Sequence, residues 1–168
     1  MDLLVDIGNS TCKFAVSKDG KILFGGKTDS PAELPDLIAR FECNAGNTSK
    51  YKNVALCTVR NVDNDFLDKL AHFGSKFIQV NGDFMQNCIV SGRPYPKIFN
   101  TLRHDFGADR IAAVVGALTI CRESRILVID MGTAVTYDVI DGDRYLGGAI
   151  SMGLNTRYRA LGLLTDKI

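Results

Sequence analysis

A short phrase with an acidic residue and a glycine at fixed spacing occurs twice in the chain. Residues 3–16 read LLVDIGNSTCKFAV and residues 127–140 read LVIDMGTAVTYDVI, so that Asp6 matches Asp130. In each copy an apolar run precedes Asp-x-Gly, a small polar residue follows, and a second run typical of a β-strand comes next. A glycine lets the backbone approach an anion closely, and the N–H groups of such a turn can converge on it. The duplication therefore predicts a phosphate-binding cleft between two related halves, and a nucleotide-dependent phosphotransferase is the first hypothesis.

The residues around the two glycines supply donors and charges suited to phosphate. Short polar donors follow each glycine: Asn9, Ser10, Thr133 and Thr136. Lys13 could reach a phosphate as a point charge. Asp6 and Asp130 would orient cations, because a carboxylate beside a phosphate needs a cation between them. The alternative is an ordinary turn after a strand, with Lys13 a solvated strand residue. Two matching copies favour the phosphate site.

A third signal is the tetrapeptide Gly107-Ala108-Asp109-Arg110, which precedes an apolar run. An aspartate at the start of a helix could act as a general base toward a substrate hydroxyl, and an arginine could hold a carboxylate through two hydrogen bonds. The alternative reading makes Asp109 a helix cap and Arg110 an exposed residue. On the tetrapeptide alone, this second reading is favoured.

Composition and charge restrict the classes of function. Of the 168 residues 46% are hydrophobic, enough to bury a core in one ordinary domain or two small lobes. The 20 Lys and Arg nearly balance the 19 Asp and Glu, and a formal net charge of +1 gives no general attraction to nucleic acid or a membrane surface. No apolar run reaches the roughly 18 residues of a spanning helix, and no signal peptide is recognisable. Five widely spaced cysteines without a CxxC pair indicate free thiols in a reducing cytoplasm.

The elements that must position these residues follow from hydrophobic periodicity and turn signals. Strands are predicted over residues 3–7, 11–16, 22–24, 54–59, 76–80 and 126–129. Helices are predicted over residues 31–41, 63–73, 111–121 and 150–164, with a loop over 44–53 and an irregular basic and aromatic segment over 91–106. Asp19-Gly20 predicts a hairpin turn, and Pro35 allows the first helix to begin later than Pro31. We expect residues 111–121 and 126–129 to be buried. The alternation of strands and helices predicts an α/β fold.

Taken together and in this order, the three signals resemble the type III pantothenate kinase family. Its DxGNT motif corresponds to Asp6–Ser10, with Ser10 in place of threonine, and its GxDR motif corresponds to Gly107–Arg110. Its DxGTAxTxD motif is complete over Asp130–Asp138, and its GGxIxPG segment corresponds to Gly147–Gly153, with methionine for proline. The resemblance implies two duplicated ribonuclease-H-like lobes of the actin-like ATPase kind. It covers nearly all of this chain but only about two thirds of the family fold. We therefore expect a first lobe over residues 1–106 and an incomplete second lobe over residues 107–168.

The resemblance implies transfer of the ATP γ-phosphate to the 4′-hydroxyl of pantothenate, the first step of coenzyme A synthesis. It makes Asp109 the general base. Pantothenate would be contacted by Gly107, Ala108, Arg110 and Asn100, the last of which stands where the family usually has tyrosine. ATP would be held by Asp6, Ile7, Gly8, Asn9, Ser10, Lys13, Gly132 and Thr133. Asp130 would bind a monovalent cation, K⁺ or NH₄⁺, and Asp6 would hold Mg²⁺ through water. A homodimer is also implied. Two alternatives stay open: a non-catalytic nucleotide-binding regulator of transcription, and a kinase for another small hydroxy acid.

Overall fold

The computed structural model describes residues 1–46, 49–81, 89–90, 93–94, 106–121, 123–142 and 144–165. The chain divides into two compact units, Met1–Val80 and Asn81–Ile168. The lobe boundary predicted at residue 106 stays a prediction, because residues 95–105 lie outside the described part. Within that part, no helix has the length and apolar character needed to cross a membrane.

The first unit is built on a five-stranded mixed sheet in the order β3-β2-β1-β4-β5. Its strands are β1 (Asp2–Ile7), β2 (Cys12–Lys18), β3 (Lys21–Thr28), β4 (Tyr51–Thr58) and β5 (Gly74–Gln79). Its helices are α1 (Leu34–Asn44), preceded by a 3₁₀ turn at Pro31–Glu33, and α2 (Asn64–Ala71). β1 pairs antiparallel with β2 and parallel with β4, so the carboxyl ends of β1 and β4 lie side by side at one edge of the sheet.

Turn and cap residues explain why these elements begin and end where they do. Asp19 and Gly20 both have positive φ, 52° and 76°, as a type I′ hairpin turn requires, and the predicted hairpin turn is confirmed. The Asp63 carboxylate accepts a hydrogen bond from the Phe66 N–H at 2.8 Å, so it caps α2. α1 begins at Leu34, with Pro35 in its first turn, where a missing N–H costs nothing.

The second unit contains a three-stranded antiparallel sheet in the order β10-β9-β8. Its elements are β6 (Ile89–Val90), β7 (Arg93–Pro94), α3 (Ala108–Ile120), β8 (Arg125–Met131), β9 (Ala134–Asp141), β10 (Arg144–Met152) and α4 (Leu154–Leu164). Residues 150–152, predicted as helix, instead extend β10 because they pair with β9, Ile150 lying opposite Thr136. The predicted loop over residues 44–53 is likewise shorter, since β4 already begins at Tyr51.

The expected burial of residues 111–121 and 126–129 is only partly right. Ile111 and Val114 of α3 and Ile126 of β8 are buried, but Ile120 is 82% exposed and Leu127 is 57% exposed. The large side chains spaced along one stripe of α4, at residues 154, 158, 161 and 164, are exposed as well. An apolar run predicts a buried element only when another layer lies against it, and the described residues place no such layer on these side chains.

Candidate functional site

The first Asp-x-Gly turn forms the four-residue loop 8–11 between β1 and β2. The Gly8 N–H donates to the Thr11 carbonyl oxygen at 3.1 Å, which closes the loop, while Asn9 and Ser10 are exposed at its tip. Gly8 does not have positive φ, so the turn does not depend on the conformational freedom of glycine. A Cβ there would lie 3.3 Å from the Thr11 oxygen, a tight contact. Glycine at position 8 therefore allows the loop to close tightly, and its conformational freedom is not needed for the turn.

Asp6 and Lys13 are opposite each other on β1 and β2. The Lys13 Nζ lies 3.9 Å from the Asp6 carboxylate, and their side chains are 63% and 47% exposed. An ion pair this exposed adds little to stability. A half-exposed carboxylate suits a magnesium ion that keeps most of its water ligands.

Arg60 is a cationic residue at the same sheet edge that the sequence analysis did not identify. It follows β4, whose last residue, Thr58, lies opposite Ile7 at the carboxyl end of β1. Its local turn is fixed because the Thr58 hydroxyl donates to the Arg60 carbonyl oxygen at 2.8 Å. The pKa of the Cys12 thiol is raised because burial outweighs the opposing effect of the neighbouring Arg60 guanidinium. Arg60 thus adds a positive charge near loop 8–11. Its place beside the loop follows from the pairing of β4 with β1, which the sequence alone does not give.

The second Asp-x-Gly turn is a shorter, two-residue loop at 132–133, so the two copies of the phrase are not equivalent. Gly132 N–H donates to the Ala134 carbonyl oxygen at 2.8 Å. The Thr133 carbonyl oxygen accepts from the Gly153 N–H at 2.9 Å and from the Thr156 hydroxyl at 2.8 Å. The beginning of α4 therefore holds this loop in place.

Asp130 and Thr136 form the part of the second unit that best fits a monovalent cation. They are direct cross-strand partners on β8 and β9, so their side chains share one face of the sheet. Asp130 is exposed, whereas the Thr136 hydroxyl is buried and has no hydrogen-bond partner among the described residues. The Thr136 hydroxyl oxygen and the Asp130 carboxylate are oxygen ligands of the kind that K⁺ would need. An ammonium ion could donate hydrogen bonds to the same two groups. No group of three or more His, Cys, Asp or Glu side chains in the described ranges could hold a metal by itself.

The predicted general base, Asp109, lies in the first turn of α3 and is half-buried. One of its carboxylate oxygens accepts a hydrogen bond from the Arg110 N–H at 2.7 Å. A Cβ placed on Gly107 would come within 2.5 Å of that same oxygen. The glycine therefore leaves the room in which the carboxylate sits, and the other oxygen keeps capacity to accept a proton.

Arg110 is not the exposed residue of the alternative reading. Its Nη2 lies 2.6 Å from Asp138 Oδ1 and its Nε lies 3.2 Å from both Asp138 oxygens. The side chains are 13% and 1% exposed, so this is a buried ion pair between α3 and β9. The Tyr145 hydroxyl of β10 donates to the same Asp138 oxygen at 2.7 Å. The last aspartate of DxGTAxTxD thus binds the arginine of GxDR, a contact that spacing could not predict.

The surroundings of this ion pair shift two pKa values. Burial raises the pKa of Tyr145, the hydrogen bond and charge of Asp138 raise it further, and together they outweigh Arg110 to bring it to about 12. Burial lowers the pKa of Arg110, but the hydrogen bond and charge of Asp138 outweigh it, so the pKa is raised. Arg110 therefore stays charged and Tyr145 stays neutral at any physiological pH.

The predicted site residues fall into two sets. The first unit holds Asp6, Ile7, Gly8, Asn9, Ser10 and Lys13 in and beside loop 8–11. The second unit holds Gly107, Ala108, Asp109, Arg110, Asp130, Gly132 and Thr133 around the start of α3 and loop 132–133. Asn100 lies outside the described residues. The roles assigned to all of these residues stay predictions.

Comparison with known proteins gives one consistent family. Residues 2–168 match the family model described as type III pantothenate kinase. A curated type III pantothenate kinase from Phocaeicola vulgatus is 33% identical over all of this chain, and one from Porphyromonas gingivalis is 30% identical over 99% of it. The chain spans 64% and 63% of the length of these two relatives.

Solved structures support the fold. A structure described as a Baf family transcriptional activator from Campylobacter jejuni superposes with a TM-score of 0.56 at 24% identity, covering 99% of this chain and 62% of that one. A 2-dehydro-3-deoxygalactonokinase structure from Sinorhizobium meliloti gives a TM-score of 0.55 at 14% identity, covering 99% and 58%. Similarity at these sequence identities shows a shared fold and nothing about function. The predicted fold class, α/β of the actin-like ATPase kind, is confirmed.

Proposed function

The chain belongs to the type III pantothenate kinase family, and from this premise we propose that it transfers the γ-phosphate of ATP to the 4′-hydroxyl of pantothenate. The observation that carries the proposal is the buried contact between the GxDR and DxGTAxTxD segments, Arg110 to Asp138 at 2.6 Å. That contact sets Asp109 at a fixed place relative to the sheet that bears Asp130 and loop 132–133. A base and a phosphate loop held by one rigid contact are what a positioned phosphoryl transfer requires.

In the proposed reaction Asp109 accepts the proton of the 4′-hydroxyl as that oxygen attacks the γ-phosphorus, and ADP leaves. Loop 8–11 and Lys13 would bind phosphates of ATP, and Gly132 and Thr133 are further phosphate contacts that the resemblance implies. Mg²⁺, when bound, neutralises charge on the transferred phosphate, and Asp6 would hold it through water. Asp130 and the Thr136 hydroxyl would bind K⁺ or NH₄⁺. Gly107, Ala108, Arg110 and Asn100 would contact pantothenate.

Release of ADP coupled to a reporter reaction tests this function. We expect turnover that requires pantothenate and increases when K⁺ or NH₄⁺ replaces Na⁺. Absence of ADP release in every one of these salts would refute the kinase. Nucleotide binding without turnover would favour the regulator, and turnover only with another hydroxylated carboxylate would favour a kinase of different specificity.

Asp109→Asn tests the assignment of the base. Because general-base catalysis contributes about 10² to 10⁴ in rate, kcat should fall by that factor while the KM for ATP changes little. Asp65→Asn is the matched control, since this exposed carboxylate lies on α2 and, within the described part of the chain, pairs with Lys69 across one helical turn. An Asp109→Asn variant with the parent kcat would show that another group takes the proton.

The resemblance also leads us to propose a homodimer in the cytoplasm, without nucleic acid or a membrane as partner. Light scattering coupled to size-exclusion chromatography would measure the mass in solution. A mass of one chain across the accessible concentration range would overturn the dimer.

A further inference from the structure

The guanidinium of Arg110 has most of its hydrogen-bonding capacity committed inside the protein. It offers five N–H donors: one on Nε and two on each terminal nitrogen. Nε donates to Asp138, and Nη2 donates both to Asp138 at 2.6 Å and to the Tyr145 hydroxyl at 3.0 Å. Only the two donors of Nη1 have no partner in the described parts of the chain. Asp138 therefore occupies the edge formed by Nε and Nη2, and the edge formed by Nη1 and Nη2 has already given its Nη2 donor to Tyr145.

Neighbouring groups fix the plane of this guanidinium as well. The Phe106 ring lies against it, with the ring centroid 4.3 Å from the guanidinium carbon, and packs edge-on against Tyr145. On β10, a Cβ at Gly148 would come within 2.5 Å of Nη2 and 2.6 Å of the Tyr145 hydroxyl. The glycine thus provides the space for Arg110 and Tyr145, and the arginine has little freedom to turn toward a ligand.

We propose that Asp138 and Tyr145 are positioning residues that hold Arg110 so that Nη1 alone is presented to the carboxylate of the acceptor substrate. The inference rests on the proposed function, because it supposes an acceptor that carries a carboxylate. It revises the expectation of a two-pronged grip: Arg110 makes that grip with Asp138, and meets the substrate through one terminal nitrogen. Substrate affinity then depends on residues that never touch the substrate.

Steady-state kinetics of Asp138→Asn and Tyr145→Phe test the proposal. An amide cannot hold both Nε and Nη2, since one of its two atoms is a donor, so the KM for pantothenate should rise about tenfold or more. Tyr145→Phe keeps both charges and removes two hydrogen bonds, the one that the hydroxyl donates to Asp138 and the one that it accepts from Arg110 Nη2. A rise of about threefold is expected. For Tyr145→Phe, which leaves the contact between Arg110 and Asp138 in place, kcat and the KM for ATP should stay within about twofold, a split that a general loss of structure would not produce.

A substrate lacking the carboxylate identifies the group that Arg110 meets. With the alcohol analogue of pantothenate, in which CH₂OH replaces the carboxylate, the variants and the parent protein should have equal KM values. Asp141→Asn and Tyr137→Phe are matched controls on β9. Asp141 pairs with the exposed Arg125 at 3.1 Å, and Tyr137 makes no hydrogen bond through its hydroxyl among the described residues. Both controls should keep the parent KM.

The possible outcomes separate the inference from the function. If the parent protein releases no ADP, the proposed function fails and the inference falls with it. If the parent is active and Tyr145→Phe leaves the KM for pantothenate unchanged, the inference alone is overturned. This holds even if Asp138→Asn does not fold. An equal rise for pantothenate and its alcohol analogue would also overturn it, because the effect would not pass through the carboxylate.

Discussion

At the scale of single residues, the position of the proposed base depends on the absence of a side chain two residues earlier. A Cβ on Gly107 would fall within 2.5 Å of the Asp109 carboxylate oxygen that accepts the Arg110 N–H. Gly107→Ala should therefore push the carboxylate out of its place. We expect kcat to fall at least tenfold, since small displacements of a catalytic group are costly, with the KM for ATP unchanged.

Gly116→Ala is the control for Gly107→Ala. Gly116 lies inside the same helix, α3, and a Cβ there would meet no atom within 4 Å. It should keep the parent kcat and gain up to about 1 kcal/mol of stability, because alanine favours the helix over glycine. If Gly107→Ala also kept the parent kcat, the position of the Asp109 carboxylate would not matter for turnover.

Tyr145 predicts a specific dependence of stability on alkaline pH. Its pKa is raised from 10.0 to about 12 in the folded protein. Between these values the unfolded chain loses the phenolic proton and the folded protein keeps it, so the free energy of unfolding falls as pH rises from about 10 to about 12. In Tyr145→Phe this contribution is absent. Urea unfolding at several pH values should show that the free energy of unfolding falls less steeply with alkaline pH in the variant than in the parent. Equal slopes for the two proteins would show that the pKa of Tyr145 is not raised by folding.

At the scale of elements, the start of α4 and loop 132–133 are locked together by backbone contacts. A Cβ on Gly153 would overlap the carbonyl oxygens of Gly132 and Thr133, and no flexible side chain is there to move aside. Gly153→Ala should displace the loop, cost about 2 kcal/mol or more in the free energy of unfolding, and raise the KM for ATP. Gly162→Ala, in the exposed part of α4 with nothing within 4 Å, should instead be neutral or stabilising. If Gly153→Ala and Gly162→Ala changed the KM for ATP equally, loop 132–133 would have no role in nucleotide binding.

The elements also show which features sequence could predict. The Asp19-Gly20 turn and the Asp63 cap were predictable because each depends on residues within four positions. The pairing of Arg110 with Asp138 was not, because it joins residues from two elements and no local pattern encodes which carboxylate an arginine will meet. The same limit explains why Arg60 was missed and why residues 150–152 of β10 were predicted as helix. Burial of β8 was overestimated because an apolar run does not say whether a second layer covers it.

At the scale of the whole molecule, the two compact units differ in how well their apolar side chains are covered. The first unit has one contiguous core between its sheet and its helices, formed by Leu3, Val5, Ile7, Cys12, Phe14, Val16, Leu34, Ile38, Tyr51, Val54, Leu56, Phe66 and Leu70. In the described part of the second unit, β8, β10 and α4 carry large apolar side chains that are half-exposed or more. Hydrogen exchange should therefore be slower in β1 and β4 than in β8 and β10, because protection follows local burial.

Adjacent residues of β8 give the sharpest test of this difference. Ile126 is 8% exposed and Leu127 is 57% exposed, on opposite faces of one strand. Ile126→Ala should cost about 2 to 5 kcal/mol in the free energy of unfolding, since it leaves a cavity against α3. Leu127→Ala should cost less than about 1 kcal/mol and should reduce the fluorescence of a dye that binds exposed apolar surface. If both variants reduced the free energy of unfolding equally, Leu127 would be buried in solution. The outer face of β8 would then pack against other protein surface.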